Sequence, residues 1–292
     1  GLMRNRLLLL GVVALLGMTP APAPVRGTLL IVGGGSQPDD LVQRFVDLAG
    51  GKKAKIAVVP MASEEAQASG DEKAEQLRGL GAEVIVFNIN RFQAESASTA
   101  RLLDGVTGIW FGGGDQIRLT RILLGTPVLK AMHELYEKGA VLGGTSAGAA
   151  IMSDSMLTGN QRPPDDTLGY YGDEYPSLGR GIIEVVPGLG FLHGAIVDQH
   201  FIRRERHNRL FSVVLERPSM IGVGIDEGTA IEVQPDGMWQ VRGRSAVAVY
   251  DARHAGITSP GATSRLGATG VLMQLLPAGS RYDPKKGRAT LP

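Results

Sequence analysis

The chain has 292 residues, 43% of them hydrophobic, and a formal net charge of +1. That is enough apolar material for one large core, and with no basic run interleaved with aromatics it argues against a nucleic-acid partner. Cysteine is absent, which excludes a thiol nucleophile, a disulfide framework and a cysteine-ligated metal, and leaves the redox compartment undetermined.

Met3-Arg4-Asn5-Arg6 is a basic start, followed by an apolar run from Leu7 to Met18 and a Pro/Ala hinge from Thr19 to Pro24. A run this short does not comfortably span a bilayer, and the layout is that of a secretory signal peptide. Residues 1–26 are therefore expected to be signal peptide and linker. The protein is expected to be secreted or periplasmic, with no stable membrane span after processing; a short uncleaved anchor is the alternative.

From residue 27 the apolar pattern predicts alternating strands and helices. Strands are expected at Thr28 to Val32, Lys55 to Pro60, Glu83 to Asn88, Gly108 to Phe111 and Val141-Leu142, and helices at Asp39 to Leu48, near Glu72 to Leu80, Ala97 to Leu103, Leu119 to Leu124 and Pro127 to Lys138. Short buried strands separated by helices argue for right-handed βαβ units on a mostly parallel, two-faced sheet. Ligands of such sheets bind beyond the carboxyl ends of the strands. Three glycine clusters fall there, Gly33 to Gly35, Gly112 to Gly114 and Gly143-Gly144. Neither of the first two completes a dinucleotide fingerprint or a Walker motif, so no cofactor is expected.

Residues 159–180 are polar and turn-rich and read as a long surface excursion. Strands resume at Ala195 to Gln199 and Ile221 to Ile225, and an antiparallel edge region follows at Ala230 to Val233, Met238 to Val241 and Ala246 to Tyr250. The expected architecture is a three-layer α/β sandwich with a mostly parallel central sheet, flavodoxin-like or class I glutamine amidotransferase-like, plus that antiparallel edge. A single hydrolytic domain would cover 27–278, and 279–292 would be a polar, frayed tail.

Gly143-Gly144-Thr145-Ser146-Ala147-Gly148 carries the chemistry. It reads as strand, tight turn and helix with one hydroxyl at the turn, and Gly144 to Gly148 fits the nucleophile-elbow pattern GxSxG. The backbone N–H of Ala147, with one from the Gly113-Gly114 loop, could hold an oxyanion. A serine hydroxyl needs a general base held by a carboxylate. His200 ends the strand Ala195 to Gln199 and Glu227 follows Ile221 to Asp226, so both could meet Ser146 at a common sheet rim. A rival set in the order Ser146, Asp226, His254 stays open. His133 reads as partly buried filler and His207 as solvated. Asp115 and Gln116 are polar groups that could face a substrate. If 201–210 is helical, Arg206 and Arg209 share a face near Arg203, while Arg204 turns aside, a grouping suited to carboxylate recognition.

These residues resemble a known family. Gly143 to Ala150, Asp198-Gln199-His200-Phe201 with Arg204, Arg206, Arg209 and Leu210, and Gly224 to Ala230 are similar to the corresponding stretches of cyanophycinases. Those enzymes lie in a serine peptidase family that also contains aspartyl dipeptidases. Phe111 to Gln116 and Thr28 to Gly35 fit as well. The resemblance implies Ser146 as nucleophile, His200 as base and Glu227 as orienting acid, with Gln116, Asp198, Gln199, Arg204, Arg206 and Arg209 shaping the pocket. It implies a polymeric substrate, a polyaspartate backbone with arginine on each β-carboxyl, cut to β-Asp-Arg dipeptides without metal or organic cofactor. Asp173 and Glu174 are candidates to hold the substrate guanidinium. Alternatives are an aspartyl or isoaspartyl dipeptidase with the same triad, an esterase using His254, and a non-catalytic binding module. An apolar helix face could support a homodimer.

Overall fold

The computed structural model describes residues 26–161, 178–259 and 266–292. The signal-peptide expectation for 1–26 therefore falls almost wholly outside the described residues, as do most of the excursion and Asp173 and Glu174.

The first half is a repeating strand–helix chain. It runs β1 (Thr28–Val32), α1 (Asp39–Leu48), β2 (Lys55–Val59), α2 (Ala66–Gly79), β3 (Glu83–Val86), α3 (Arg91–Ala94), α4 (Ala97–Ala100), β4 (Gly108–Phe111), α5 (Gln116–Leu123), α6 (Pro127–Lys138), β5 (Val141–Thr145) and α7 (Ala147–Ala150). Local chemistry sets these bounds. α1 buries Leu41, Val42, Phe45 and Val46 on one stripe at helical spacing. α6 starts with the Thr126 side chain capping Leu129 N–H and Pro127 at the first position, and stops at Gly139 in the left-handed region. β1, β2, β4 and β5 bury nearly every residue, as strands covered on both faces do.

The second half runs β6 (Ser155–Gln161), β7 (Ile183–Pro187), β8 (Ala195–Gln199), α8 (His207–Glu216), β9 (Ile221–Ile225), β10 (Thr229–Val233), β11 (Trp239–Gly243), β12 (Ala246–Asp251), β13 (Gly256–Ile257), β14 (Ala268–Thr269), β15 (Leu272–Pro277), β16 (Arg281–Asp283) and β17 (Arg288–Thr290). The large sheet has the order β17-β16-β11-β10-β1-β5-β4-β2-β3. Its core, β1-β5-β4-β2-β3, is parallel, and the β10, β11, β16, β17 flank is antiparallel. With helices packed on it, this is the expected flavodoxin-like α/β architecture.

Three features depart from the sequence reading. First, β8, β9, β12 and β15 form a second, four-stranded sheet. One shared core joins it to the large sheet, with Leu29, Ile31 and Leu142 meeting Val197, Val223 and Val249. Its other face is covered by α8 through Leu210, Val213 and Val214, while α1 and α2 cover the far face of the large sheet. Second, the excursion is flanked by two paired strands, β6 and β7, whose polar, irregular alternation hides them from periodicity. Third, residues 281–290 are not frayed. β16 pairs with β11 and with β17, and Tyr282 is 0% exposed, its ring tilted against that of Trp239 with centroids 5.0 Å apart. One buried aromatic suffices to dock a tail that is otherwise polar.

Candidate active site

β5 delivers Ser146 to the carboxyl edge of the large sheet. The chain there must reverse from strand to helix within one residue, and Ser146 does so at φ 53° and ψ −109°, a region costly for a side-chain-bearing residue. The surrounding glycines are required by close approach. A Cβ on Gly144 would lie 2.3 Å from the Gly148 carbonyl oxygen, and one on Gly148 would lie 2.3 Å from that of Phe111. Ala147 opens α7, so its N–H has no acceptor within that helix. A Cβ on Gly113 would be 3.5 Å from Ser146 Cβ, which sets the Gly113-Gly114 backbone against the serine.

The structure brings the three strand-end residues together. Ser146 Oγ lies 2.8 Å from His200 Nε2, and His200 Nδ1 lies 2.6 Å from Glu227 Oε1. They do not share one sheet rim, however. His200 and Glu227 follow β8 and β9 of the small sheet, and Ser146 follows β5 of the large one. The sheets are stitched at this point, with His200 N–H donating to the Gly33 carbonyl and Gly228 N–H to that of Gly34. The first glycine cluster thus finds its purpose. A Cβ on Gly34 would sit 2.4 Å from the His200 ring, and one on Gly35 would sit 2.9 Å from the Glu227 carboxylate. Burial is the main influence holding the His200 imidazole below its ordinary pKa, aided by the Arg204 and Arg206 charges. The Glu227 hydrogen bond opposes them.

The alternative set is not assembled around Ser146. Asp226 accepts from Arg203 N–H and from the Ser245 hydroxyl, and His254 is exposed. The other histidines are engaged elsewhere. His133 Nε2 lies 2.8 Å from the Leu189 carbonyl oxygen. His207 is not simply solvated, since its Nδ1 lies 2.7 Å from the Tyr250 hydroxyl and its ring meets Phe201 edge-on.

The expected pocket residues divide. α8 begins at His207, so Arg203 to Arg206 lie in turns rather than on a helix face. Arg204 is exposed and Arg206 donates to Gln199 through both its carbonyl and its side chain. Asp198 and Arg209 are 0% and 1% exposed and form a two-pronged buried ion pair, with Arg209 Nε 2.7 Å from Asp198 Oδ2. Alternation along β8 explains this. Val197 faces the shared core, so Asp198 faces α8, where Arg209 waits. The pair holds the His200 strand to α8 and is a scaffold for the site. Gln116 is buried and donates to the Leu157 carbonyl, while Asp115 caps α5 by accepting from Ile117 N–H.

Two cavities flank the Gly112 to Gly114 loop. One, of about 690 Å³, is lined by Gln116, Thr158, Asn160 and Glu184, and the Glu184 carboxylate accepts from Thr158 and Asn160. The other, of about 440 Å³, is lined by Gln37, Lys73, Trp110, Gly113 and Thr145. Sequence reasoning missed Lys73 because it lies in a polar stretch of α2, where only Gly70, Ala74 and Leu77 are buried. No helix among the described residues is long and apolar enough to cross a membrane.

An α/β fold with a hydroxyl on a strained strand-to-helix turn, hydrogen-bonded to an imidazole and onward to a carboxylate, defines the class of serine hydrolases. The comparisons make this more specific. Residues 29–241 match peptidase family S51, and the chain belongs to that family of serine peptidases. It is 33% identical over 270 residues to the cyanophycinase of Geminocystis herdmanii, covering 89% of this chain and 95% of that one. It is 34% identical over 240 residues to that of Thermosynechococcus vestitus, covering 80% and 71%. Among solved structures, a peptidase from an acI-B1 Actinobacterium shares the fold with a TM-score of 0.63 at 22% identity, over 92% of this chain and 98% of that one.

Proposed function

We propose that the protein is an exported peptidase that degrades cyanophycin to β-Asp-Arg dipeptides through a Ser146–His200–Glu227 triad. The observation that carries this reading is the unbroken hydrogen-bond chain from Ser146 Oγ through His200 to Glu227, in a chain similar over most of its length to cyanophycinases. Neutral His200 accepts the Ser146 proton as the hydroxyl attacks a backbone carbonyl of the substrate. Glu227 accepts from His200 Nδ1–H, fixing the tautomer and balancing the imidazolium. The Ala147 N–H and one from Gly113 or Gly114 receive the tetrahedral oxyanion; one such donor typically contributes about 3 kcal/mol. The imidazolium then protonates the leaving amine, and water attacks the acyl-enzyme by the same steps reversed.

The substrate's charges suit the surroundings. Arg204 at the surface offers a guanidinium to its carboxylates, and Glu184 in the cavity beyond Gln116 offers a carboxylate to its guanidinium groups. The basic start and apolar run at the N-terminus support export, which would give the enzyme polymer released by lysed neighbours. The test is product analysis on insoluble cyanophycin and on free aspartyl dipeptides in parallel. Wild type is expected to release β-Asp-Arg from the polymer and Ser146→Ala to release none. Cleavage of the dipeptides alone would favour the dipeptidase reading.

A further inference from the structure

The cavity beside Gly113 has no part in the triad, yet it sits where this fold binds ligands. β2 and β4 are neighbours, but the chain runs from β2 to β3 on one side and from β4 to β5 on the other, so the two connections diverge and a crevice opens beyond the carboxyl ends of β2 and β4. Val58 and Pro60 from the end of β2, and Trp110 and Gly113 from the end of β4, line this crevice. Lys73 reaches into it from α2. Its Nζ lies 2.6 Å from Gln37 Oε1 and 2.6 Å from Gln76 Oε1, and 4.8 Å from the Trp110 ring. Gln37 Nε2 in turn donates to Thr145 Oγ1 at 3.3 Å, next to Ser146.

This is an unusual setting for an ammonium. Its two hydrogen-bond acceptors are neutral amides, and the ring beneath it supplies only a quadrupole. The carboxylate of Glu72 lines the same crevice but makes no hydrogen bond or ion pair with Lys73, so the half-buried cation is incompletely compensated, and burial pushes its pKa down to about 8, partly offset by Glu72. The indole N–H of Trp110, in the same wall, is buried and has no hydrogen-bond partner among the described residues. An anion entering the crevice would complete the Lys73 shell and lie on the far side of the Gly112-Gly113 turn from Gln116.

We propose that this crevice is a subsite for a substrate carboxylate, received by the Lys73 ammonium, and that it positions the chain flanking the scissile bond over Ser146. The inference rests on the aspartate–arginine polymer as substrate. That polymer offers two sources of the group, the free carboxylate at the end of the main chain and the carboxylate of each appended arginine. Lys73 touches substrate in this scheme and takes no part in proton transfer.

The experiment uses a synthetic trimer of arginine-bearing aspartates in three forms: free acid, main-chain carboxamide, and a form with agmatine in place of arginine. Wild type, Lys73→Met and Lys73→Arg are compared, with a thermal melt for each. Lys73→Met is expected to raise KM for the free acid by about 10- to 100-fold, the range for a lost hydrogen bond to a charged group, with the loss in KM more than in kcat. Lys73→Arg restores much of it by keeping the charge. The substrate lacking the recognised carboxylate binds wild type more weakly and is indifferent to Lys73→Met, which identifies the source. Direct calorimetric binding of the trimers to Ser146→Ala, with and without Lys73→Met, reads the same effect without turnover. If wild type cleaves the trimer and Lys73→Met leaves KM unchanged, or raises it equally for all three forms, the subsite is wrong while the peptidase reading stands. If wild type neither cleaves nor, as Ser146→Ala, binds any form, the substrate reading fails and the subsite with it.

Discussion

As the proposed general base, His200 has two demands placed on it: it must be neutral to take a proton, and charged soon afterwards. Burial holds its pKa below 6.5 and the nearby Arg204 and Arg206 push the same way, while Glu227 pulls back. A base must be deprotonated in the free enzyme, so kcat/KM is expected to rise with pH through a midpoint below 6.5 and to level off by neutral pH. Arg204→Ala removes a cation and should move the midpoint up. Glu227→Gln removes the opposing anion and should move it down, while lowering kcat by up to about 10⁴-fold through loss of the correct tautomer. A pH–rate series on β-Asp-Arg release checks all three, and a wild-type midpoint above 6.5 would contradict the assignment. Ser146 and His200 were readable from sequence because each ends an apolar strand. The roles of Asp198 and Arg209 were not, since only the fold reveals that each is the other's partner. Lys73 gave no signal at all, because a lysine on a polar helix looks solvated until the crevice beneath it is seen.

At the level of elements, the turn after β1 is as much a part of the site as the elbow after β5. Gly34 has φ +103° and leaves just enough room for the imidazole, so Gly34→Ala adds both backbone strain and a clash with the His200 ring. The expected outcome is a folded protein whose kcat drops by about 10²-fold or more, since small displacements of a reacting group have effects of that order. Circular dichroism together with kcat separates this from unfolding. The sequence showed Gly33 to Gly35 at a strand end without a complete dinucleotide fingerprint, but which side chain needed the space is a long-range fact. Likewise the Phe201 to Leu210 stretch has helical-looking spacing, yet its first half is turn, because Phe201 N–H is tied to the Ile225 carbonyl and Arg203 N–H to Asp226.

On the scale of the molecule, alternating apolar segments conveyed the parallel core and its helices almost strand by strand. They did not convey that β8, β9, β12 and β15 peel away into a sheet of their own, because strands buried on both faces look alike in either sheet. They also did not convey the terminal hairpin, whose Arg, Asp and Lys residues mask one anchoring tyrosine. Tyr282→Ala should lower stability by about 3–5 kcal/mol, as for other large buried aromatics, and truncation after residue 278 by at least as much. Urea melts measure both, and an unchanged midpoint on truncation would mean that the hairpin is ornamental.

The division of the reactive groups between two sheets also governs when reactivity appears as the protein is made. A ribosome that has reached α7 has already produced the hydroxyl, but the imidazole is some fifty codons away and its carboxylate later still. The one histidine upstream of Ser146 is His133 on α6, which in the finished fold faces the Leu189 carbonyl and not the serine. In the proposed triad the nucleophile is therefore made well before its base, and the two meet only when the last third of the chain closes against its first half.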